Sequence, residues 1–312
     1  MRRGDGITVA CTGASGFIGS RLLQTLLARG YTVRALQHRT PLPDHPNLIR
    51  ITGSLIEAAD RDALVHGADI VLHVGGLVLA NRRADFFRVN CTATVALAHA
   101  ALNAGCKKFL FTSSLAAREP QLSPYAASKR AAEQQLRAVE GLAYDILRPP
   151  AIYGPKDVNS LPLLNMLRRG HVWLPVRRKS TVAMLYVDDL VGAIIAWMES
   201  DQLPTGAIYE LGDHKVGYEW PEIIASAEKI LRQRISLHRL PIALAIGVAC
   251  VAQSWAWLTR HPAFISIGKI REISHADWSA DPTDFIAATG WMPEKTLQQG
   301  FALMLELSDE PS

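Results

Sequence analysis

The chain predicts an α/β fold: a doubly wound parallel sheet with a smaller, discontinuous second domain. Three observations carry that expectation. Short β-branched runs alternate with helix-period segments over residues 7–147. A glycine-spaced loop, residues 12–19, joins the first strand-like run to the first helical one. After Arg148-Pro149-Pro150 the alternation stops, and only Val182–Val187 and Ala207–Leu211 read as strands able to rejoin the sheet. The expected division is 1–155 plus about 181–211 for the sheet domain, with 156–180 and 212–312 forming the smaller one.

The elements follow in order. Ile7–Thr12 is an apolar strand, and Phe17–Arg29 is a helix stopped near Gly30. Tyr31–Gln37 and Asn47–Thr52 read as strands, Glu57–His66 as a helix and Asp69–Val74 as a strand. Ala84–Ala104 is a long Ala-rich helix closed by Gly105. Lys108–Thr112 is a strand, Ser123–Val139 a helix and Tyr144–Leu147 a strand. No internal repeat or low-complexity tract interrupts them, and only Ser308–Ser312 reads as a frayed tail.

Bulk properties narrow the class. With 312 residues, 49% hydrophobic and 20% charged, the chain has ample core for a globular protein. A net charge of +4 excludes nucleic acid as the expected partner. The basic clusters Arg2-Arg3, Arg168-Arg169 and Arg177-Arg178-Lys179 are short and read as solvated loops. Cys11, Cys91, Cys106 and Cys250 lack ligand spacing, so no metal site is expected, and a reducing cytoplasm fits. Residues 240–258 are apolar and flanked by Arg239 and Arg260, but contain Gln253 and Ser254 and follow a helix-opening Pro241. The segment reads first as a buried or partner-facing helix, with peripheral membrane contact as the alternative.

Two patterns carry chemistry. Thr12-Gly13-Ala14-Ser15-Gly16-Phe17-Ile18-Gly19 has the glycines that a tight turn and close approach to a pyrophosphate demand. The helix N-terminus beyond it offers N–H groups and partial positive charge to phosphate. The second strand ends without the acid that holds NAD ribose hydroxyls; Arg34, His38 and Arg39 stand nearby, so NADP is expected, with NAD the alternative. Further on, Tyr125 and Lys129 are four apart and share a helix face. A nearby ammonium favours phenolate and makes a tyrosine a usable acid/base group.

With TGASGFIG, His73-Val74-Gly75-Gly76, Val89-Asn90, Phe111-Thr112-Ser113-Ser114, Tyr125-Ala-Ala-Ser-Lys129, Leu147–Pro155, Tyr186–Leu190 and Gly290-Trp291-Met292-Pro293, the chain resembles an extended short-chain dehydrogenase/reductase. The resemblance implies a Rossmann-type sheet. It implies dinucleotide contacts at Gly13, Ser15, Gly16, Phe17, Ile18 and Gly19, at Ser54 and Leu55 near the adenine, and at His73, Val74 and Gly75 along the cofactor. Pro149 and Ile152 would abut the nicotinamide. Tyr125 would exchange the proton, Lys129 would hold the ribose and depress the tyrosine, and Ser114 would bond the substrate oxygen, with Ser113 as the other register. A homodimer through helix faces is the family's common assembly.

Departures from the family pattern select among its branches. Leu115 replaces the acid of sugar-nucleotide dehydratases, and Thr181-Val182-Ala183-Met184 replaces the Arg-Asp pair that meets a diphosphate. Ser54 stands where many relatives have an adenine-contacting Asp, and the loop from Ser114 to Tyr125 is short. The apolar C-terminal segment resembles the 3β-hydroxysteroid dehydrogenase and dihydroflavonol-reductase branch. The expected activity is hydride transfer between NADP(H) and a small-molecule alcohol or ketone with an apolar body. A nucleotide-sugar epimerase with tightly held NAD is the second reading, and a non-catalytic dinucleotide sensor the third. Structural roles are expected elsewhere: Asp188 and Asp189 as a helix cap, His73 as a core or cofactor-lining group, and Glu133–Arg137 as a surface pair. Asn90 reads equally as an ordering or a structural residue.

Overall fold

A computed structural model describes residues 4–202, 204–259 and 265–306. Arg2, Arg3, Arg260 and the Ser308–Ser312 tail lie outside the described residues. The chain divides into two compact units, Met1–Arg148 with Ile194–Tyr209, and Pro149–Ala193 with Glu210–Ser312.

The first unit follows the alternation. Its elements are β1 (Thr8–Thr12), α1 (Phe17–Ala28), β2 (Thr32–Gln37), β3 (Leu48–Thr52), α2 (Ala58–Val65) and β4 (Ile70–His73). Next come α3 (Arg83–Phe87), a π-helical turn (Arg88–Thr92), α4 (Ala93–Asn103), β5 (Lys108–Thr112), a 3-10 turn (Leu115–Arg118), α5 (Pro124–Leu136) and β6 (Tyr144–Arg148). Strands β1 to β6 pair in parallel. Sheet order places β4 beside β1, with β2 and β3 on one side and β5 and β6 on the other. Connections therefore run outward in opposite directions from β1 and β4, and their carboxyl ends form the switch point where open α/β sheets bind ligands. Thr12 is in register with His73 at that point. Val9, Ala10, Val71, Leu72, Phe109, Phe111 and Ile146 have almost no exposed surface, as a parallel sheet covered on both faces requires.

The expected helix 84–104 is interrupted at the π-helical turn, where Asn90 turns its amide onto the backbone of Leu77. Single π-turns inside helices mark such diversions. Strand β6 stops at Arg148 because Pro149 and Pro150 have no N–H to continue the ladder.

The second unit then begins with β7 (Ala151–Tyr153), α6 (Leu161–Arg168), β8 (His171–Leu174), β9 (Thr181–Val182), β10 (Met184–Tyr186) and the start of α7 (Val187–Glu199), whose residues from Ile194 onward count with the first unit. Here one expectation fails. Val182–Val187 does not rejoin the main sheet: β10 pairs with β7, and β9 with two short later strands. Ala207–Leu211 does rejoin it, as β11 (Ile208–Glu210) beside β6. The remaining elements are β12 (Tyr218–Glu219), α8 (Trp220–Leu231), β13 (Ser236–Arg239), α9 (Ile242–Thr259), α10 (Ile267–Ile273), β14 (Asp277–Trp278), α11 (Thr283–Thr289) and α12 (Leu297–Glu306).

Two further observations belong to the second unit. Asp189 is buried and accepts hydrogen bonds from the backbone N–H of Glu294 and Lys295 at 3.1 and 3.0 Å, so it anchors the chain before α12 instead of capping its own helix. Helix α9, expected to be buried or partner-facing, is not fully buried: Ala245 and Ala249 pack against Ile270 of α10, while Leu244, Val248 and Val251 are exposed. Among the described residues no helix is long and apolar enough to cross a membrane.

Candidate active site

The glycine loop leaves β1 at Thr12 and turns through Gly13, whose φ of +74° is natural only for glycine. A Cβ on Gly13 would lie 2.7 Å from the Cα of Gly75, and one on Gly19 would overlap the Gly13 carbonyl. The loop can thus press against the strand β4 exit and the first turn of α1 only without side chains. Ser15 and Gly16 are exposed at its tip, while Phe17 and Ile18 are half-buried at the start of α1. Gly16 is the N-cap and brings no side chain to the first-turn N–H groups, which suits an anionic ligand.

At the end of β2 the structure separates the basic residues expected there. Arg34 lies mid-strand and its guanidinium donates to the carbonyls of Ala63 and Leu64, capping the end of α2. Two of its donors are therefore engaged at a helix terminus, where the sequence led us to expect a phosphate partner for Arg34. His38 and Arg39 are exposed just past the strand. Beyond β3, the N–H of Ser54 donates to Asp60 Oδ2 at 2.7 Å, and a Cβ on Gly53 would overlap that carboxylate. Asp60 thus fixes the turn after β3 through the Ser54 backbone. Leu55 is half-buried against the sheet core.

Behind the loop runs a chain of directional hydrogen bonds. The N–H of Gly75 donates to Thr12 Oγ1 at 3.1 Å; Thr12 Oγ1 meets His73 Nδ1 at 2.6 Å. His73 Nε2 meets Thr94 Oγ1 at 2.8 Å, and the Thr94 hydroxyl donates to the Asn90 carbonyl at 2.9 Å. That last donation uses the only proton of Thr94, so Thr94 accepts from His73 and the histidine carries its proton on Nε2. Nδ1 is then the acceptor for the Thr12 hydroxyl. The ring is 1% exposed and stacks on Phe111 at 5.4 Å. Burial, and secondarily the charge of Lys129, push His73 down to about pKa 3, so it is neutral. His73 is a satisfied core group that ties the loop to the π-helical turn. Asn90 continues the path: its Oδ1 accepts from Leu77 N at 2.7 Å, and its Nδ2 donates to Leu77 O at 2.9 Å and Ser128 Oγ at 3.0 Å.

Helix α5 presents the chemistry. Ser123 caps it by accepting from Ala126 N at 3.0 Å, and Pro124 fixes the first turn. Tyr125 follows, half-exposed, with the ring of Phe86 packed edge-on at 6.5 Å. One turn later Lys129 is 3% exposed, donates from Nζ to the Thr112 carbonyl at 2.9 Å and lies over the Phe111 ring at 4.8 Å. Burial brings its ammonium down to about pKa 8, with the Glu133 carboxylate opposing the shift. Gly76 leaves room here: a Cβ would sit 3.1 Å from Lys129 Nζ, tighter than an ordinary contact.

A further turn along, Glu133 departs from expectation. It is 1% exposed and pairs not with Arg137 but with Arg148, which donates from Nε to Oε1 at 2.9 Å and from Nη2 to Oε2 at 2.6 Å. Ser113 also donates to Glu133 Oε1, at 2.6 Å. The two serines therefore differ in what they have left to offer. Ser113 Oγ is buried and committed to Glu133, whereas Ser114 is half-buried and accepts from Ala116 N at 3.2 Å, which leaves its hydroxyl proton to donate. Glu133 lies on the stripe of Tyr125 and Lys129 at i+8, a signal in the sequence that a surface pairing overlooked. Pro149 and Ile152 belong to the second unit, where Ile152 is half-buried in the middle of β7. Among the described residues no group of three or more His, Cys, Asp or Glu could hold a metal.

A parallel sheet with a glycine phosphate loop at its switch point and a Tyr–Lys helix beside it defines a dinucleotide-dependent α/β protein. The model of the NAD dependent epimerase/dehydratase family matches residues 9–212, and the chain belongs to that family, among the extended short-chain dehydrogenases/reductases. Its cofactor is accordingly a nicotinamide dinucleotide. The chain is 36% identical to a ceramide reductase of Caulobacter vibrioides over 92% of this chain and 96% of that one. It is 30% identical to a 3 beta-hydroxysteroid dehydrogenase/Delta 5-->4-isomerase of Mycobacterium tuberculosis, covering 73% and 72% of the two chains. Among solved structures, the UDP-glucuronic acid 4-epimerase of Bacillus cereus superposes with a TM-score of 0.75 at 19% identity, over 97% and 99% of the chains. That likeness concerns the fold.

Proposed function

We propose that the protein is a reductase transferring hydride between NADP(H) and a ketone or secondary alcohol borne on a long apolar body, as a ceramide-type lipid would present. The observation that carries this reading is the α5 stripe: Tyr125 half-exposed, and Lys129 buried one turn on and bound to the Thr112 carbonyl at 2.9 Å. The glycine cradle of Gly13, Gly19 and Gly76 has the open backbone that a dinucleotide needs. Ser15, Gly16 and the first turn of α1 would take its phosphates, and the remaining Lys129 protons its ribose. When bound, it supplies the hydride to the carbonyl carbon.

The protein's own residues move the proton. Ser114 donates a hydrogen bond to the carbonyl oxygen as negative charge develops. Tyr125 gives its phenolic proton to that oxygen, completing the alcohol, and Lys129 stabilises the phenolate left behind until solvent restores the proton. In the oxidative direction the same groups run in reverse.

NADP is favoured over NAD because His38 and Arg39 are exposed past β2 and that strand ends without an acid. A lipid ketone is favoured over a nucleotide sugar because Leu115 and Thr181–Met184 lack the acid and the diphosphate-binding Arg, and because the 36%-identical relative is named a reductase of ceramide. The epimerase reading retains support from a UDP-glucose 4-epimerase of Vibrio cholerae, 24% identical over 94% of the chain. Turnover assays with NADPH and NADH against long-chain keto lipids and nucleotide sugars separate the readings. Consumption of NADPH with the lipid ketone is expected. Epimerisation of a sugar nucleotide with retained NAD would refute the proposal.

A further inference from the structure

Helix α9 exposes far more apolar surface than a packed helix does. Its described exposed positions run from Ala243 to Leu258 and cover a sector of roughly 160° at 3.6 residues per turn. Leu244, Val248, Val251, Trp255 and Leu258 are 58%, 51%, 72%, 67% and 69% exposed. No charged residue occurs anywhere in α9.

The polar side chains of α9 do not break this face. Gln253, which argued against a membrane span in the sequence, turns inward and accepts from the N–H of Ile267 at 3.0 Å. The Ser254 and Thr259 hydroxyls donate to the carbonyls of Cys250 and Trp255, each at 3.0 Å. Each thus has a hydrogen bond within the protein, the condition for placing a helix face in a medium that offers none.

Charge chooses the occupant. Between Glu228 and Glu272 the chain holds Lys229, Arg232, Arg234, Arg239, Arg260, Lys269 and Arg271 and no Asp or Glu, although the whole chain carries only +4; of these Lys269 pairs with the flanking Glu272 at 3.6 Å. A basic segment around a neutral apolar helix complements a surface that is anionic outside and apolar within. A second copy of the chain fits poorly. One 18-residue helix face presents roughly 270 Å², from about 27 Å of length and 10 Å of width, far below the ~800 Å² per partner of a stable complex. Two such basic segments would also repel. A length of about 27 Å falls short of the ~30 Å hydrocarbon core, which agrees with a helix lying on the membrane instead of spanning it.

We propose that α9 docks the protein on an anionic bilayer, its axis in the plane of the membrane and the Leu244–Leu258 face among the acyl chains. This reaches beyond the catalytic reading and stands independently of it. The test is co-sedimentation of the full chain with vesicles of phosphatidylcholine alone or mixed with phosphatidylglycerol, beside a V251E/L258E variant and an R239E/K269E variant. Circular dichroism and turnover of a short water-soluble ketone check that each variant is folded, and they separate failure of docking from failure of the catalytic reading. The wild type should bind mixed vesicles at least tenfold better than phosphatidylcholine, and added salt should weaken it. V251E/L258E should lose binding at least tenfold, and R239E/K269E should lose the preference for phosphatidylglycerol. Failure of the wild type to bind either vesicle, equal binding by V251E/L258E, or a dimer in light scattering that V251E/L258E dissolves would overturn the proposal.

Discussion

Protonating His73 should unlock the first unit. The imidazole is buried, its Nε2–H donates to Thr94, and its Nδ1 accepts the Thr12 hydroxyl at 2.6 Å. A second proton on Nδ1 would face a hydroxyl already oriented toward it and add charge near Lys129. In the unfolded chain the histidine titrates at its ordinary 6.5, in the fold at about 3. Between those values the unfolded state binds more protons, so stability falls as pH drops from 6.5 toward 3. At 1.36 kcal/mol per pK unit, acidification from about pH 6.5 to about pH 4.5 costs roughly 2 kcal/mol through this group. The comparison is urea unfolding of wild type and His73→Gln at both pH values, followed by circular dichroism. His73→Gln keeps a donor for Thr94, so the variant loses about 1–3 kcal/mol at neutral pH from the unpaired Thr12 hydroxyl yet should depend on acid less steeply by the stated amount. Parallel pH dependences for the two proteins would refute a buried, neutral His73.

Three other outcomes follow from the site. Glu133→Ala should destabilise the protein by about 3–5 kcal/mol, since it strands the buried Arg148, whereas Glu133→Gln, which fills the same volume and keeps one acceptor oxygen for the guanidinium, should cost less in the same thermal melts. Lys129 is held down to about pKa 8 from 10.5, so its contribution to stability rises with pH between those values; Lys129→Met should flatten that slope in alkaline urea titrations. Arg39→Asp should shift the kcat/KM preference from NADPH toward NADH by at least tenfold, and an unchanged ratio would remove Arg39 from 2′-phosphate recognition.

Most of the sheet unit was legible because its signals are local. Alternating apolar runs, Gly30 and Gly105 after helices, and Pro149-Pro150 after a strand each act within a few residues. The glycine loop and the Tyr125–Lys129 face were legible for the same reason. What sequence misjudged depended on partners distant in the chain. Nothing near Arg34 in the chain announced that α2 would bring the Ala63 and Leu64 carbonyls to it. Glu133 looked solvated until β6 set Arg148 beside it. The interruption of the long helix at Asn90 required knowing that Leu77 lay opposite. In the second unit Val182–Val187 had strand composition, but the choice of β7 as partner is a matter of topology.

The central claim is that Tyr125 passes the proton while the dinucleotide passes the hydride. Its most direct test is Tyr125→Phe, with NADPH binding measured by fluorescence titration and single-turnover reduction of a long-chain ketone measured on the same preparation. Binding should be unchanged while the turnover rate falls roughly 10²–10⁴-fold, the worth of a positioned general acid. A variant that reduces the ketone at the wild-type rate would contradict the account.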